Sequence, residues 1–187
     1  MRYSPTLSSP ASSLVSVVFL FLFVFFAQSS QASMAAHSIK VEPNMKTKIS
    51  EKTLAEVTRF FDDAETAISK GDLEMLMGLY SESYKNEDHD KAAAREIWKR
   101  MFDTFEDMGT MHNMRLLNYS PEGNLVVIGC SGILLGKKKM DGDKMPLDTW
   151  TNEEHILTLE NGKWKLVGSA GIKRKRLWFD KPMHPLF

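Results

Sequence analysis

Tyr80, Tyr84, Asn86, Asp88 and His89 lie within ten residues of one another and form the densest set of proton-handling side chains in this 187-residue sequence. A carboxylate next to an imidazole, with phenols and an amide close by, can exchange protons with a bound molecule if an apolar setting lifts the acid's pKa and holds the histidine near neutrality. The plainer reading is local, with Asp88 or His89 capping the helix that follows or standing as a solvated loop acid. A second set comes late, at Asn152, Glu154 and His155. Strand alternation puts Asn152 and Glu154 on one face and His155 on the other, and the face of Trp150, Asn152 and Glu154 is expected to be the concave one.

Other chemistries have less support. The five histidines, His37, His89, His112, His155 and His184, include no pair with metal-ligand spacing. Adjacent residues such as Asp88-His89-Asp90 rarely converge on one ion, so no metal is expected. Cys130, the single cysteine, sits in the apolar run VVIGCSGILL and reads as a buried, inert thiol. There is no G-x-S-x-G, no phosphate-binding glycine loop and no dinucleotide fingerprint, so no cofactor is expected. The full chain balances 24 Lys and Arg against 24 Asp and Glu. That lack of basic surplus argues against a nucleic-acid partner.

These groups must be positioned by helices first and strands afterwards. Leu54, Val57, Phe61, Ala64 and Ile68 make one helical stripe, with Ser50 as cap and Gly71 as stop. Asp72 directly follows Gly71, a joint that closes one helix and caps the next. From Asp90 to Met108, Ala94, Ile97, Trp98, Met101, Phe105 and Met108 recur at three- and four-residue steps, which predicts a third helix ending at Gly109. Four strands then follow by pattern: Met111 to Tyr119, Leu125 to about Lys137, Leu147 to Leu159, and Trp164 toward Ile172. Asp141-Gly142 and Asn161-Gly162 mark hairpins, the latter suited to a type I′ turn. Helices followed by an antiparallel meander give an α+β class, with helices covering one face of the sheet.

Ahead of this lies a segment of different grammar. Residues 1–32 carry Arg2 as their only charge, an apolar run from Leu14 to Phe26 broken only by Ser16, and small residues at Ser30-Gln31-Ala32. This is the pattern of a secretory signal peptide cleaved after about Ala32. The run is shorter than the roughly 20 residues of a spanning helix, so no stable membrane span is expected after cleavage, and the location is periplasmic or secreted. Residues 33–49 read as a flexible leader, 50–176 as one domain, and the aromatic end 177–187 as a tail docking on the domain or on a partner subunit.

The helix stripe ending in Gly71-Asp72-Leu73, the segments Leu79-Tyr80-Ser81 and Tyr84-Lys85-Asn86, the opening Lys91-Ala92-Ala93-Ala94, and the late Glu160-Asn161-Gly162-Lys163-Trp164-Lys165-Leu166-Val167 resemble the nuclear transport factor 2-like superfamily over about residues 51–173. That superfamily houses ketosteroid isomerases, scytalone dehydratase and polyketide cyclases. The resemblance implies three N-terminal helices packed on a curved antiparallel sheet, a cystatin-like cone, enclosing a pocket. Phe61, Tyr80, Tyr84, Asn86, Trp98, Met101, Phe105, Trp150 and Asn152 are the expected lining, the alternative being that they simply fill the core. By the same resemblance Asp88 matches the isomerase's catalytic base and Glu154 its strand-borne acid, while His89 matches a dehydratase acid or base. The isomerase's oxyanion tyrosine is replaced by Ala64, and the connection after Asp88 is shortened. Three functions compete, in this order: binding of a small apolar or aromatic molecule, cofactor-free acid–base catalysis of the isomerase, dehydratase or cyclase type through Asp88, and an oligomerising domain without ligand. Apolar residues in both alternations of the strands further predict a homodimer paired through the outer sheet face.

Overall fold

The computed structural model describes Met1 and residues 38–173, apart from 47, 121, 123 and 141. The chain divides into two units, 1–34 and 35–187, and the second is described here. The expected cleavage point, the tail at 177–187 and the Asp141 of one hairpin lie outside the described residues.

Described structure starts inside the expected leader. Ile39–Lys40 forms β1 and Pro43–Lys46 forms α1, with Ile39, Met45 and Ile49 buried. A two-residue strand and a single helical turn are too short to show a period, so the sequence pattern there is blank. The next helix, α2 (Glu51–Lys70), begins where Ser50 accepts a hydrogen bond from the Thr53 N–H at 3.0 Å, a cap contributing about 1 kcal/mol. It ends at Gly71, whose φ of 64° suits a residue without Cβ. Asp72 then accepts from the Met75 N–H and caps α3 (Leu73–Met77).

The next segment departs from expectation. Tyr80–Asn86 is a strand, β2, followed by the two-residue β3 (His89–Asp90). β2 runs parallel to the last strand, a pairing between distant segments that no local pattern announces. Asp90, not Asp88 or His89, caps α4 (Lys91–Thr104) by accepting from the Ala93 N–H at 2.9 Å. The helix stops four residues before Met108, because Phe105 turns extended at φ −118° and ψ 154° and starts β4 (Phe105–Tyr119). Asp107, at φ 50°, forms a bulge there. A regular strand would put Phe105 and Met108 on opposite faces. The extra residue returns both to the interior, which reproduces a helical spacing without a helix.

β5 (Leu125–Lys138), β6 (Lys144–Glu160) and β7 (Lys163–Ala170) complete the meander. Asn161 and Gly162 both have positive φ in the last hairpin, as read from sequence. The sheet order is β1-β4-β5-β6-β7-β2-β3, antiparallel from β4 to β7. Helices α2 and α4 lie against its inner face, where Phe61, Ile68, Leu116, Ile128, Leu157 and Leu166 are almost wholly buried. The result is a mixed α+β domain built on one large sheet. Among the described residues no helix is long and apolar enough to cross a membrane.

Candidate functional site

Most of the expected lining is interior. Phe61, Tyr80, Tyr84, Asn86, Trp98, Met101, Phe105 and Trp150 are all buried. The Trp98 indole donates from Nε1 to the Tyr80 hydroxyl at 2.8 Å, and the Tyr80 and Tyr84 rings meet edge-to-face with centroids 4.7 Å apart. Burial pushes both phenols well above the usual tyrosine range; the Tyr84 ring adds to this at Tyr80, while Asn86 works against it at Tyr84. Neither phenol ionises in ordinary conditions, so this set packs and donates rather than titrates.

The expected acid–base residues are elsewhere. Asp88 is exposed on the β2–β3 turn and His89 is half-buried. Asn152 is exposed and Glu154 points to the outer face, which corrects the expected facing of β6. The cause is one residue. Cys130 pairs with Glu153 and Gly132 with Trp150, so Thr151 and Asn152 together oppose Ser131. Asn152 takes a left-handed φ of 53° at this bulge. Beyond it the alternation is shifted by one, and Glu153, His155 and Leu157 join Trp150 on the inner face. Asp88 and Glu154 therefore do not share one interior site.

The shift gathers a different set of groups. Glu65 projects from α2, Thr110 and His112 from β4, Cys130 from β5, and Trp150, Glu153 and His155 from β6. Thr110 Oγ1 hydrogen-bonds Glu65 Oε1. His112 Nε2 lies 3.3 Å from Thr110 Oγ1 and 3.8 Å from Glu65 Oε1. On the other side of the ring, His112 Nδ1 is 3.5 Å from Cys130 Sγ, which also accepts from Trp150 Nε1 at 3.1 Å. The direction of this chain is set at both ends, because an indole N–H can only donate and an ionised carboxylate can only accept. With His112 neutral, Cys130 donates to Nδ1, Nε2–H donates to Thr110, and Thr110 donates to Glu65. Burial pushes the Cys130 thiol up to about 11, against the opposing pull of the Trp150 N–H, so the sulfur keeps its proton for this role.

His155 lies beside this chain. Its ring and that of His112 both pack edge-on against Phe61, with centroids 5.9 and 6.2 Å from it. Burial, and secondarily the charge that His112 can carry, lower the His155 pKa to about 3, so it stays neutral across the physiological range. Room for the arrangement comes from Gly132. A Cβ there would stand 2.6 Å from the Trp150 ring and 2.8 Å from the His112 Cβ.

Glu65 was not singled out in the sequence, although its place four residues after Phe61 and three before Ile68 puts a carboxylate on the buried stripe and could have marked it. Glu153 and His155 were not legible there, because only the bulge turns them inward. Among the described residues no group of three or more His, Cys, Asp or Glu is placed to hold a metal ion.

Two solved structures show what this arrangement is similar to. A nuclear transport factor 2 (NTF2-like) superfamily protein from Salmonella enterica matches with a TM-score of 0.53 at 16% identity, over 67% of this chain and 95% of that one. A ketosteroid isomerase-like protein from Erwinia carotovora matches with a TM-score of 0.50 at 16% identity, over 64% of this chain and 95% of that one. The fold is that of the nuclear transport factor 2-like superfamily. No family model and no curated protein matches the chain in sequence. At such low identity the likeness carries the fold and not an activity. What the domain does therefore rests on Glu65, His112 and their neighbours.

Proposed function

We propose that this domain binds a small apolar or aromatic molecule on the inner face of its sheet, against His112, Trp150 and His155. The observation that carries the reading is the burial of two carboxylates and two histidines, Glu65, Glu153, His112 and His155, among aromatic side chains. Burying such groups costs free energy that packing alone does not require, and pockets with a few convergent polar groups in an apolar wall are where ligands bind. Known proteins of this fold described as isomerase-like fit the same coarse reading.

Acid–base catalysis is the second reading, and the Trp150–Cys130–His112–Thr110–Glu65 chain favours it. Glu65 and His112 take the roles first given to Asp88 and Glu154. A proton that reaches His112 has to enter at Nδ1, the nitrogen that faces Cys130 Sγ at 3.5 Å, since Nε2–H is donated to Thr110; the imidazolium so formed is stabilised by the carboxylate beyond Thr110, which is what a general base needs. Purified protein is denatured and any released molecule identified by mass spectrometry; that molecule, or a panel of steroids, polyketides and aromatic acids, is then tested by thermal shift and turnover. Binding raises the melting temperature by mass action. Glu65→Gln should leave binding in place and lower turnover by orders of magnitude if a reaction occurs. Absence of any thermal shift, with no molecule released, would leave the oligomerising-domain reading. Export is proposed alongside, on the sequence of residues 1–32, and an intact Met1 on protein from its own cells would overturn it.

A further inference from the structure

The bulge that turns Glu153 and His155 inward also builds something on the opposite face. Lys40, Asn113, Arg115, Gly129, Ser131 and Asn152 border an outer-face hollow of about 310 Å³. Arg115 Nη2 donates to Asn152 Oδ1 at 3.3 Å, and the Asn152 N–H donates to Ser131 Oγ at 2.9 Å. These two bonds hold Asn152 in its left-handed conformation, which asparagine tolerates better than most residues.

Arg115 is the key group. A guanidinium has five N–H donors, and the bond to Asn152 is the one that Arg115 makes among the described residues. Glu154 stands in the same cross-strand row, beyond Gly129, without pairing with it. The other cation at the rim, Lys40, is held by Glu42 at 3.0 Å. Gly129 leaves the floor as bare backbone; a Cβ there would come within 3.2 Å of Arg115 Nε and 2.9 Å of Leu117. The positive charge of Arg115 thus faces a hollow whose other walls supply the Asn113 and Asn152 amides, the Ser131 hydroxyl and the Glu42 carboxylate, the last of these paired with Lys40.

We propose that this hollow binds a small organic oxyanion, a carboxylate or a phosphate ester. Arg115 is the primary anchor, because its planar fork matches both groups and charge-assisted hydrogen bonds are the stronger kind. The volume is at the lower end for small-molecule sites and exceeds that of a bare anion, leaving space for an organic body. The site is independent of the interior one, since Arg115 and Asn152 point away from Glu65 and His112.

The test follows the Arg115 Nε–H signal by NMR in the full chain. Sodium acetate and inorganic phosphate are titrated separately against sodium chloride at matched ionic strength, so the two arms report which anion chemistry is preferred. A saturable shift with either anion, absent with chloride, is expected. Arg115→Gln should weaken binding, read by calorimetry, roughly tenfold or more. Asn152→Gly, which keeps the bulge conformation and drops the amide, should weaken it by a smaller factor at an unchanged melting temperature. No saturable shift at tens of millimolar of either anion, or binding untouched by Arg115→Gln, would overturn the proposal. So would an Arg115 signal that changes only with protein concentration, as molecular mass by light scattering rises, because the face would then belong to a second copy.

Discussion

Two interior clusters, one of Trp98 from α4 with Tyr80 and Tyr84 from β2 and the other of Glu65 from α2 with His112 from β4 and His155 from β6, are buried to nearly the same degree, yet they differ in what a proton can do among them. The phenols are pushed up out of the range where they ionise. The Glu65 cluster instead joins a carboxylate to an imidazole through Thr110 and keeps a second imidazole neutral by burial. Burial alone therefore does not mark a functional residue. The Trp98 cluster is where truncation should cost stability, and the Glu65 cluster is where a change of protonation should be felt.

Trp98→Ala gives the largest effect on the first half of that contrast. It removes a fully buried indole and leaves the Tyr80 hydroxyl without its donor, so unfolding in urea should show a loss of about 3–5 kcal/mol. A loss under about 1 kcal/mol would mean that the indole borders open space rather than packed core.

Acid should act on the other half. His155 has its folded pKa lowered to about 3 from an ordinary value of 6.5. Between those values the unfolded chain takes up a proton that the folded one refuses, so this contribution is intact above pH 6.5 and is lost as pH falls toward 3. The limiting slope is about 1.4 kcal/mol per pH unit. Because Glu65, Glu153 and His112 are ionisable groups on the same face, the diagnostic is a difference between variants: His155→Gln should flatten the pH dependence of the urea midpoint between pH 6 and 4, bounds chosen as roughly the middle of that window. A slope identical to the parent would remove His155 from the account.

Gly132→Ala tests whether the Glu65 cluster depends on the space that Trp150 and His112 share. The new methyl meets the Met111 carbonyl as well as the indole, and overpacking of this kind costs about 1–3 kcal/mol. The Trp150 environment should change with it, seen as a shift in tryptophan fluorescence. The smallest effect belongs to Asp88→Asn, at an exposed turn position where Asp90, not Asp88, caps α4. Stability should stay within about 0.5 kcal/mol and ligand binding should be unchanged. A large loss of turnover there would return the catalytic role to Asp88 and reverse the contrast.

Much of the scaffold was legible because its signals are local. Ser50, Gly71 and Asp72 act on backbone groups within three or four residues, and Asn161-Gly162 closes its hairpin through its own φ preferences. The buried helix stripe was also legible; Glu65 on the same stripe was passed over, although a carboxylate on an apolar face is visible from spacing alone. The Asp90 cap was missed in favour of Asp88 or His89, because three polar residues in succession can all serve and only the path of β3 selects one.

What the chain alone determined is the class of each element and the apolar faces that must be covered, since propensity, capping and periodicity are properties of neighbouring residues. What the tertiary structure decided is which polar groups meet. Two of the sheet's single-residue bulges, at Asp107 and Asn152, each shift a strand's alternation by one, and a period of two converts that shift into a change of face for the residues that follow, as far as any further bulge. The bulges are set by pairing with β5, whose partners lie dozens of residues away or across a hairpin. That pairing carried Glu153 and His155 inward beside His112, and left Asn152 and Glu154 outside.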